Sequence, residues 1–342
     1  MARQPARLGD LISTWEPQLR RAFIEAVYNM RDAAQIGLIE EYLSKGDIDN
    51  ALRAVNLDPQ AWQPFDIAMR NAFAAGGEAT AAVVPVIIVN GGFRSVFQFD
   101  VRNPAAERYL TQRSSTMIAD IISDQQTMIR GVLTSGLSQG LNPRSVALDL
   151  VGRISKQTGR REGGMIGLTD SQAQWVTNYE AELRGDNPLA ALERSLRDRR
   201  FDSAVRRAVK ADKPLTEDQI DSMVRTYTNR ALRYRAETIA RTETLTALHE
   251  AAEQSLQQAT QEGIDPNDIT RIWRTAGDDR VRDSHAEMDG EERGMNEPFV
   301  SGDGNMIFYP GDPAAPPEET INCRCWLETN IDFLAGDLRS ED

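Results

Sequence analysis

Cysteine, histidine and aromatic residues are scarce in this chain of 342 residues. It contains two cysteines, two histidines and 6% aromatic residues. A secreted domain held together by disulfides would carry more cysteines, so the scarcity favours a reducing compartment. The longest apolar run, residues 81–89, contains Pro85 and is far shorter than the roughly 20 residues that cross a bilayer. Because the first residues also lack the apolar core of a signal peptide, we expect neither membrane insertion nor export by that route.

Sequence motifs of the common catalytic sites are missing as well. The chain has no phosphate-binding glycine loop, no nucleophile elbow of the hydrolase type and no paired-carboxylate motif. Its hydrophobic content of 40% and charged content of 27% are near the averages of globular proteins. We therefore interpret the chain as a globular, non-enzymatic protein long enough for two or three domains.

Charge is distributed unevenly along the chain, whose net charge is −13. Residues 276–342 contain seventeen acidic residues and five arginines, so the acidity is concentrated near the C-terminus. Residues 193–210 are locally basic. Their basic residues are Arg194, Arg197, Arg199, Arg200, Arg206, Arg207 and Lys210. Such a stretch can contact the phosphates of DNA, whereas the alternative interpretation is a solvated helix face.

The hydrophobic pattern predicts a mainly α fold with a small α+β domain at the C-terminus. A β-branched run and an Asn-Gly-Gly turn signal indicate a short β arm or hairpin near residues 80–101, with Phe97, Phe99 and Val101 alternating along a strand. We expect five parts: an N-terminal helical region (1–75), the arm or hairpin (76–101), a long-helix body (102–262), an α+β module (263–335) and an acidic tail (336–342).

Two capping boxes mark the starts of helices in the long-helix body. Thr169 with Gln172 and Thr216 with Gln219 have the spacing at which both side chains bond backbone amides at the helix start. The second box opens the longest predicted helix. Arg241 falls on the apolar face of that helix, where its guanidinium needs a partner, and Glu237 one turn earlier is the nearest acidic residue.

The C-terminal module reads as three strands and a short helix. The predicted strands are 269–275, 306–309 and 321–327, and the predicted helix is capped by Asp279 and runs to Met288. Cys323, Cys325 and Leu327 would share one face of the third strand. A disulfide between two cysteines at this spacing would need distorted backbone geometry.

His285, Cys323 and Cys325 offer three soft metal ligands, and zinc is the ion that such ligands favour. A closed structural zinc site has four ligands, and Asp279 or Asp283 are candidates for the fourth. In the competing interpretation the thiols are small buried hydrophobes, His285 is a hydrogen-bonded packing residue and no cofactor is present. A hydrolase that uses a metal or a thiol at these three residues is the alternative function.

An ordered series of blocks in the last third of the chain resembles a known family. The blocks are WRTAGDDRVRDSH (273–285), MDG (288–290), Phe299, YPGDP (309–313) and NCRC (322–325). They resemble the C-terminal domain of tailed-phage head morphogenesis proteins of the Mu F type, and IARTET (239–244) resembles the lead-in helix of that family. The matching positions include Arg241, Thr242, Glu243, Asp279, Arg280, His285, Gly290, Pro310, Asn322, Cys323, Arg324 and Cys325.

This resemblance implies a minor virion protein, present in few copies inside the head and associated with the portal. Many members of the family carry a cysteine where this chain has Arg282, and another where it has His285. The arginine removes one potential metal ligand. No catalytic role follows from the match of Asn322 or Arg324.

We therefore predict a minor head protein that acts in capsid assembly. Its expected partners are the portal protein, the major capsid or scaffolding protein and double-stranded DNA, and no membrane is among them. The expected location is the interior of the virion head, and the host cytoplasm during assembly. A protein that is ejected with the genome is a third possibility that the sequence leaves open.

Overall fold

The structure is a computed structural model that describes residues 6–89 and 93–332. Most of these residues are helical, which confirms the predicted mainly α fold with a small β region. The helices in the described ranges are α1 (Ala6–Ala33), α2 (Ile36–Ser44), α3 (Ile48–Ala54), α4 (Gln63–Ala81), α5 (Pro104–Ser138), α6 (Pro143–Val151), α7 (Asp170–Arg184), α8 (Asp202–Lys210), α9 (Glu217–Gln261), α10 (Asp283–Ala286) and α11 (Pro317–Thr320). No helix in these ranges is long and apolar enough to cross a membrane.

The strands are short and pair antiparallel. They are β1 (Ile87–Val89), β2 (Phe93–Ser95), β3 (Arg153–Ile154), β4 (Arg161–Glu162), β5 (Ile269–Arg274), β6 (Glu292–Gly294), β7 (Phe299–Val300), β8 (Met306–Ile307) and β9 (Trp326–Ile331). Three of them form one sheet in the order β6-β5-β9, and the others form two-stranded pairs.

Both predicted capping boxes form. The Thr169 hydroxyl accepts from the amide of Gln172 at 3.2 Å, and the Gln172 side chain accepts from the amide of Thr169 at 3.2 Å. Thr216 and Gln219 exchange the same two bonds at 3.4 and 2.9 Å. These bonds satisfy amides that have no partner within the helix, so they fix the starts of α7 and of the 45-residue α9.

The chain divides into two compact units, each assembled from separate stretches of sequence. Unit 1 comprises Met1–Arg20, Phe65–Ser114 and Glu237–Asp342, and unit 2 comprises Arg21–Pro64 and Ser115–Ala236. The five-part division predicted above stays a prediction.

In unit 1, helices α4 and α9 approach each other closely. A Cβ on Gly76 would lie 2.9 Å from the Cα of Leu248, so only glycine allows this approach. Further along α9, Glu253 accepts from the guanidinium of Arg271 at 3.0 Å. Arg271 lies on the central strand β5 and is fully buried, and it also donates to the backbone carbonyl of Glu297 at 2.7 Å. This buried ion pair joins the long helix to the C-terminal sheet, and its hydrogen bonds offset the cost of burying the charge.

The predicted arm is a hairpin of β1 and β2, in which Ile87 pairs with Ser95 and Val89 with Phe93. The predicted turn residues 90–92 lie outside the described residues. The second strand of the hairpin ends at Ser95, so Phe97 and Phe99 follow it rather than belong to it. Phe97 is buried against Ala81 of α4 and Ala259 of α9, where its ring is removed from water.

Unit 2 contains packed aromatic rings and a fully buried arginine. The rings of Phe23 and Trp62 lie 5.1 Å apart, and those of Tyr179 and Tyr227 stack at 4.3 Å. Arg31 is fully buried and donates to the carbonyl of Ile166 from two guanidinium nitrogens, at 3.0 and 2.7 Å. Burial lowers the pKa of Arg31 to about 10.

Two predictions for the C-terminal module (residues 263–332 of the described chain) are corrected. The helix predicted from Asp279 to Met288 is only the single turn α10, and it is Asp278, rather than Asp279, that accepts from a nearby amide, that of Arg280. The third strand begins at Trp326 rather than at residue 321, because the chain before it leaves α11 through a turn.

Candidate functional site

His285, Cys323 and Cys325 converge in the C-terminal module. Their three potential ligand atoms all lie within 4.8 Å of one another. The Nδ1 atom of His285 is 3.6 Å from Sγ of Cys323 and 3.4 Å from Sγ of Cys325. Thus the structure brings together the three residues that the sequence analysis selected as metal ligands.

A tight turn aims both sulfur atoms at the histidine. Asn322 adopts a positive φ of 58°, a conformation that asparagine tolerates better than most residues. Its amide donates to the hydroxyl of Thr242 on α9 at 3.1 Å, and the amide of Cys325 donates to Sγ of Cys323 at 3.5 Å. The cysteines share a side because of this turn, and not because they alternate along a strand.

The three side chains are part of the module core. The exposed fractions of His285, Cys323 and Cys325 are 1%, 2% and 3%. The ring of Trp273 meets the imidazole edge-on, with 5.5 Å between the centroids, and lies 5.3 Å from the ring of Phe299. Bulk solvent is therefore kept away from the cluster by apolar packing.

Glu319 on α11 orients the imidazole, and it is not among the site residues predicted from the sequence. Its Oε2 atom accepts from Nε2 of His285 at 2.7 Å. Its Oε1 atom accepts from the Ser301 hydroxyl at 2.7 Å and from the Asn305 side-chain amide at 2.8 Å. With Nε2 bearing the proton that is donated to Glu319, the Nδ1 atom faces the two sulfurs.

Glu319 lies on the single-turn helix α11, in a proline-rich stretch whose sequence has no periodicity, and its partner His285 is 34 residues away. No local signal in the sequence marks it as part of the cluster. Only the buried position of its carboxylate in the fold identifies it.

The pKa values of the cluster are strongly perturbed. The hydrogen bond from Cys325 lowers the pKa of Cys323 far below its usual range, and the nearby imidazole adds to this effect, so that both outweigh the opposing effect of burial. The same hydrogen bond, together with burial, raises the pKa of Cys325. Burial opposes the charged form of His285, yet its bonds to Cys323 and Glu319 leave its pKa raised. The environment therefore favours ionisation of Cys323 over ionisation of Cys325.

Several family-motif residues attach this cluster to α9 or close its loops. Thr242 bonds the turn at Asn322, as described above. Pro310 offers its carbonyl to Nδ1 of His249 at 2.9 Å. Gly290, at a φ of 85°, donates its amide to the carbonyl of Trp273 at 2.8 Å. These residues position the module and touch no potential ligand atom.

Other motif residues form ion pairs instead. Arg241 pairs with Glu16 at 3.4 Å, so the predicted neighbour Glu237 is not its partner. Glu243 accepts two bonds from Arg113, at 2.6 and 3.1 Å. The motif residues Arg280 and Arg324 both pair with Asp278. Asp279 makes no side-chain bond within the described residues.

The family resemblance implies a cysteine at position 282 in many members, where this chain has Arg282. Its guanidinium donates to the carbonyl of Ile321, in the turn that leads to Cys323. The arginine therefore ties α10 to the cysteine turn through a hydrogen bond, and it offers no metal ligand.

The basic segment (residues 194–210) is only partly available for a partner. Arg194 donates to Glu182 at 3.1 Å, Arg197 pairs with Asp202 at 3.1 Å, and Arg200 pairs with Asp198 at 2.6 Å. Four basic residues are exposed and make no ion pair within the described chain. They are Arg199, Arg206, Arg207 and Lys210. Three of these four lie on the short helix α8.

Comparison with known proteins bears on this part of the chain. Residues 191–328 match the family model described as Phage Mu protein F like protein. We call residues 191–328, which are similar to that family, the Mu F-like segment. Over 113 residues the chain is 32% identical to a protein of Bacillus subtilis (strain 168) described as uncharacterized protein YqbB. That alignment covers 32% of this chain and 35% of the relative, so the chain matches about a third of the relative's length. No solved structure matches the chain.

The Mu F-like segment contains both candidate sites. It begins upstream of the basic segment, continues through α9 and ends within β9 after both cysteines. The resemblance read from the sequence covered the last third of the chain with the lead-in helix, and the match now extends it toward the N-terminus by about 50 residues.

Proposed function

We propose that this chain is a minor head protein of a tailed phage that acts in capsid assembly. The observation that carries the proposal is the match of residues 191–328 to Phage Mu protein F like protein. In this role the chain is located in the virion head and, before assembly, in the host cytoplasm. Its partners are the portal protein and the major capsid or scaffolding protein.

The hairpin region is the candidate contact for the portal or the shell. Val83, Val86 and Val96, which flank the two strands, are 57%, 51% and 73% exposed. Exposed aliphatic side chains that are close in sequence supply apolar area for docking on another protein.

The basic segment is the candidate contact for packaged DNA. Arg199, Arg206, Arg207 and Lys210 are exposed and have no carboxylate partner within the described residues, so their charges remain available to phosphates. Ejection of the chain together with the genome is consistent with such a contact.

The alternative of a hydrolase at His285, Cys323 and Cys325 is less well supported. A nucleophile or a metal-bound water must reach its substrate, but these side chains are buried beneath Trp273 and the rest of the module core. Their burial supports a role in holding the module together.

The test is to count copies of the chain in purified virions and procapsids by quantitative mass spectrometry. Shells assembled without the portal serve as the control. We expect a low and fixed number of copies in particles with the portal and none in shells without it. Absence from all particles would overturn the proposal. An unchanged copy number in the control shells would contradict the association with the portal.

A comparison of full particles with particles that have released their DNA tests ejection. Loss of the chain together with the genome would support it. Retention of every copy in the emptied heads would rule it out.

A further inference from the structure

We propose that Nδ1 of His285 and the Sγ atoms of Cys323 and Cys325 bind one zinc ion, which fastens the turn before β9 to α10. The inference concerns the folded module and does not depend on a role in phage heads. It rests on the spacing of the three donors, on their hydrogen-bonding capacity and on the carboxylate behind the histidine.

The spacing of the donors fits tetrahedral coordination. Zinc binds sulfur at about 2.3 Å and histidine nitrogen at about 2.0–2.1 Å, so two such ligands at a tetrahedral angle lie about 3.5 Å apart. In this structure the two sulfurs are 3.6 and 3.4 Å from Nδ1 of His285. One ion between them would need little movement of the side chains.

Hydrogen bonds alone do not use both sulfurs at the histidine nitrogen. A neutral imidazole whose Nε2 atom donates to Glu319 has a single lone pair, on Nδ1. Both sulfurs face that lone pair, which accepts one good hydrogen bond, and the other thiol then bonds only its neighbouring sulfur. A metal ion would use the lone pair and both sulfurs together.

The surroundings of the histidine form a complete supporting shell. Histidines that bind metals commonly donate their other nitrogen to a carboxylate, which fixes the tautomer and the orientation of the ring. Glu319 does this from a buried position, and its other oxygen is held by Ser301 and Asn305.

The chemical types of the three donor atoms indicate which metal ion the site would bind. Two sulfurs and one imidazole nitrogen favour zinc over magnesium or calcium, which prefer oxygen ligands. In the described part of the chain, no other histidine, cysteine, aspartate or glutamate joins the group within 4.8 Å. The fourth ligand would therefore be a water molecule or another small donor.

The experiment measures metal in the full-length chain, purified without a polyhistidine tag. The chain is equilibrated with zinc, dialysed, and its zinc content determined by elemental mass spectrometry. Cobalt(II) is then substituted for zinc, because a charge-transfer band in its absorption spectrum reports bonds to thiolate sulfur. The variants are Cys323→Ser, Cys325→Ser and Glu319→Gln. Glu318→Gln is the matched control, since Glu318 is the exposed neighbour of Glu319.

We expect about one zinc per wild-type chain and a thiolate–cobalt band. Each cysteine variant should lose the stoichiometric zinc, and its band should weaken or vanish. Glu319→Gln should weaken zinc binding about 10- to 100-fold, as is typical when the partner of a ligating histidine is changed. Glu318→Gln should bind zinc as the wild type does.

Two results would overturn the proposal. One is a folded wild-type chain that takes up neither zinc nor cobalt. The other is stoichiometric zinc in both cysteine variants, which would place the metal elsewhere. The wild-type cobalt spectrum decides the matter even where a cysteine variant fails to fold.

Discussion

The Mu F-like segment contains two groups of polar residues with opposite relations between sequence and space. His285 and the cysteine pair are about 40 residues apart in sequence, yet their donor atoms meet within 4.8 Å. The seven basic residues of 194–210 are close together in sequence, yet three of them form ion pairs with carboxylates. The fold brings the donor atoms of the first group together, whereas ion pairs leave only part of the second group available to a partner.

The two kinds of site are therefore identified by different observations. A buried cluster depends on geometry that many residues enforce, such as the turn at Asn322 and the carboxylate of Glu319. A charged surface depends instead on what remains after local ion pairs form. A count of charges along the chain therefore overestimates the number of cations that are free to bind a partner. It gives no information about the buried cluster.

The first prediction tests whether the packing around His285 also stabilises the sheet of the C-terminal module. Trp273→Ala removes the ring that packs on both His285 and Phe299. It should lower the free energy of opening of the β5–β9 pairing by about 3–5 kcal/mol, because a buried tryptophan loses its transfer energy and leaves a cavity. Amide hydrogen exchange of the β5 and β9 peptides, followed by mass spectrometry, measures this change.

The control for this variant is Val300→Ala, since Val300 is in the same module but exposed. Its effect should stay within about 0.5 kcal/mol. Unchanged protection of β5 and β9 in Trp273→Ala would show that the module is held together independently of the packing around His285.

The second prediction tests whether the exposed basic residues form the charged surface. A triple variant, Arg206→Ala with Arg207→Ala and Lys210→Ala, removes three of the exposed cations. If the wild type binds double-stranded DNA, the slope of log affinity against log salt should fall by about 2–3, because each phosphate that is no longer neutralised lowers the slope by about 0.9. Fluorescence anisotropy with a labelled duplex, at salt concentrations from about 50 to about 200 mM, measures the slope.

The matched comparison is the triple alanine variant of the paired arginines, Arg194, Arg197 and Arg200. Because carboxylates already occupy these guanidinium groups, their removal should change the slope by less than about 1. Equal slopes for the two triple variants would show that exposure does not decide which arginines bind DNA.

The third and smallest effect concerns Asp198, which pairs with both Arg200 and Arg230. The hydrogen bonds from Arg200 lower the pKa of Asp198 to about 2, against about 3.9 for an unperturbed aspartate. Because the folded value is the lower one, the carboxylate stabilises the fold above about pH 3.9 and loses this effect as the pH falls toward 2.

Asp198→Asn keeps the bond to the amide of Arg200 and removes the charge. The stability difference between wild type and this variant should be constant above about pH 4 and should shrink below it. Urea unfolding at a series of pH values measures the difference. A stability difference that does not change in acid would show that the charge of Asp198 does not stabilise the fold.

Local features were predictable from the sequence because neighbouring residues cause them. The capping boxes at Thr169 and Thr216 form as predicted, since each needs only a four-residue spacing. The start of β5 at Ile269 was also correct. The strand predicted from residue 321 failed because a β-like alternation does not reveal that Asn322 turns the chain.

The same limit applies to the candidate site, where side-chain chemistry could be read from the sequence but long-range contacts could not. The choice of His285, Cys323 and Cys325 required only the chemistry of their side chains and the small number of such residues in the chain. Glu319 and the Arg241–Glu16 pair could not be chosen, because their partners lie 34 and 225 residues away.

The mainly helical fold, the family resemblance and the choice of His285, Cys323 and Cys325 as candidate metal ligands could all be read from the sequence. Those properties follow from periodicity, short spacings and side-chain chemistry. Long-range folding was needed to bring these three side chains together and to place Glu319 at the histidine. It also left four of the seven basic residues without an ion pair in the described chain. These outcomes depend on long-range packing, which fixes distances between residues that no local pattern relates.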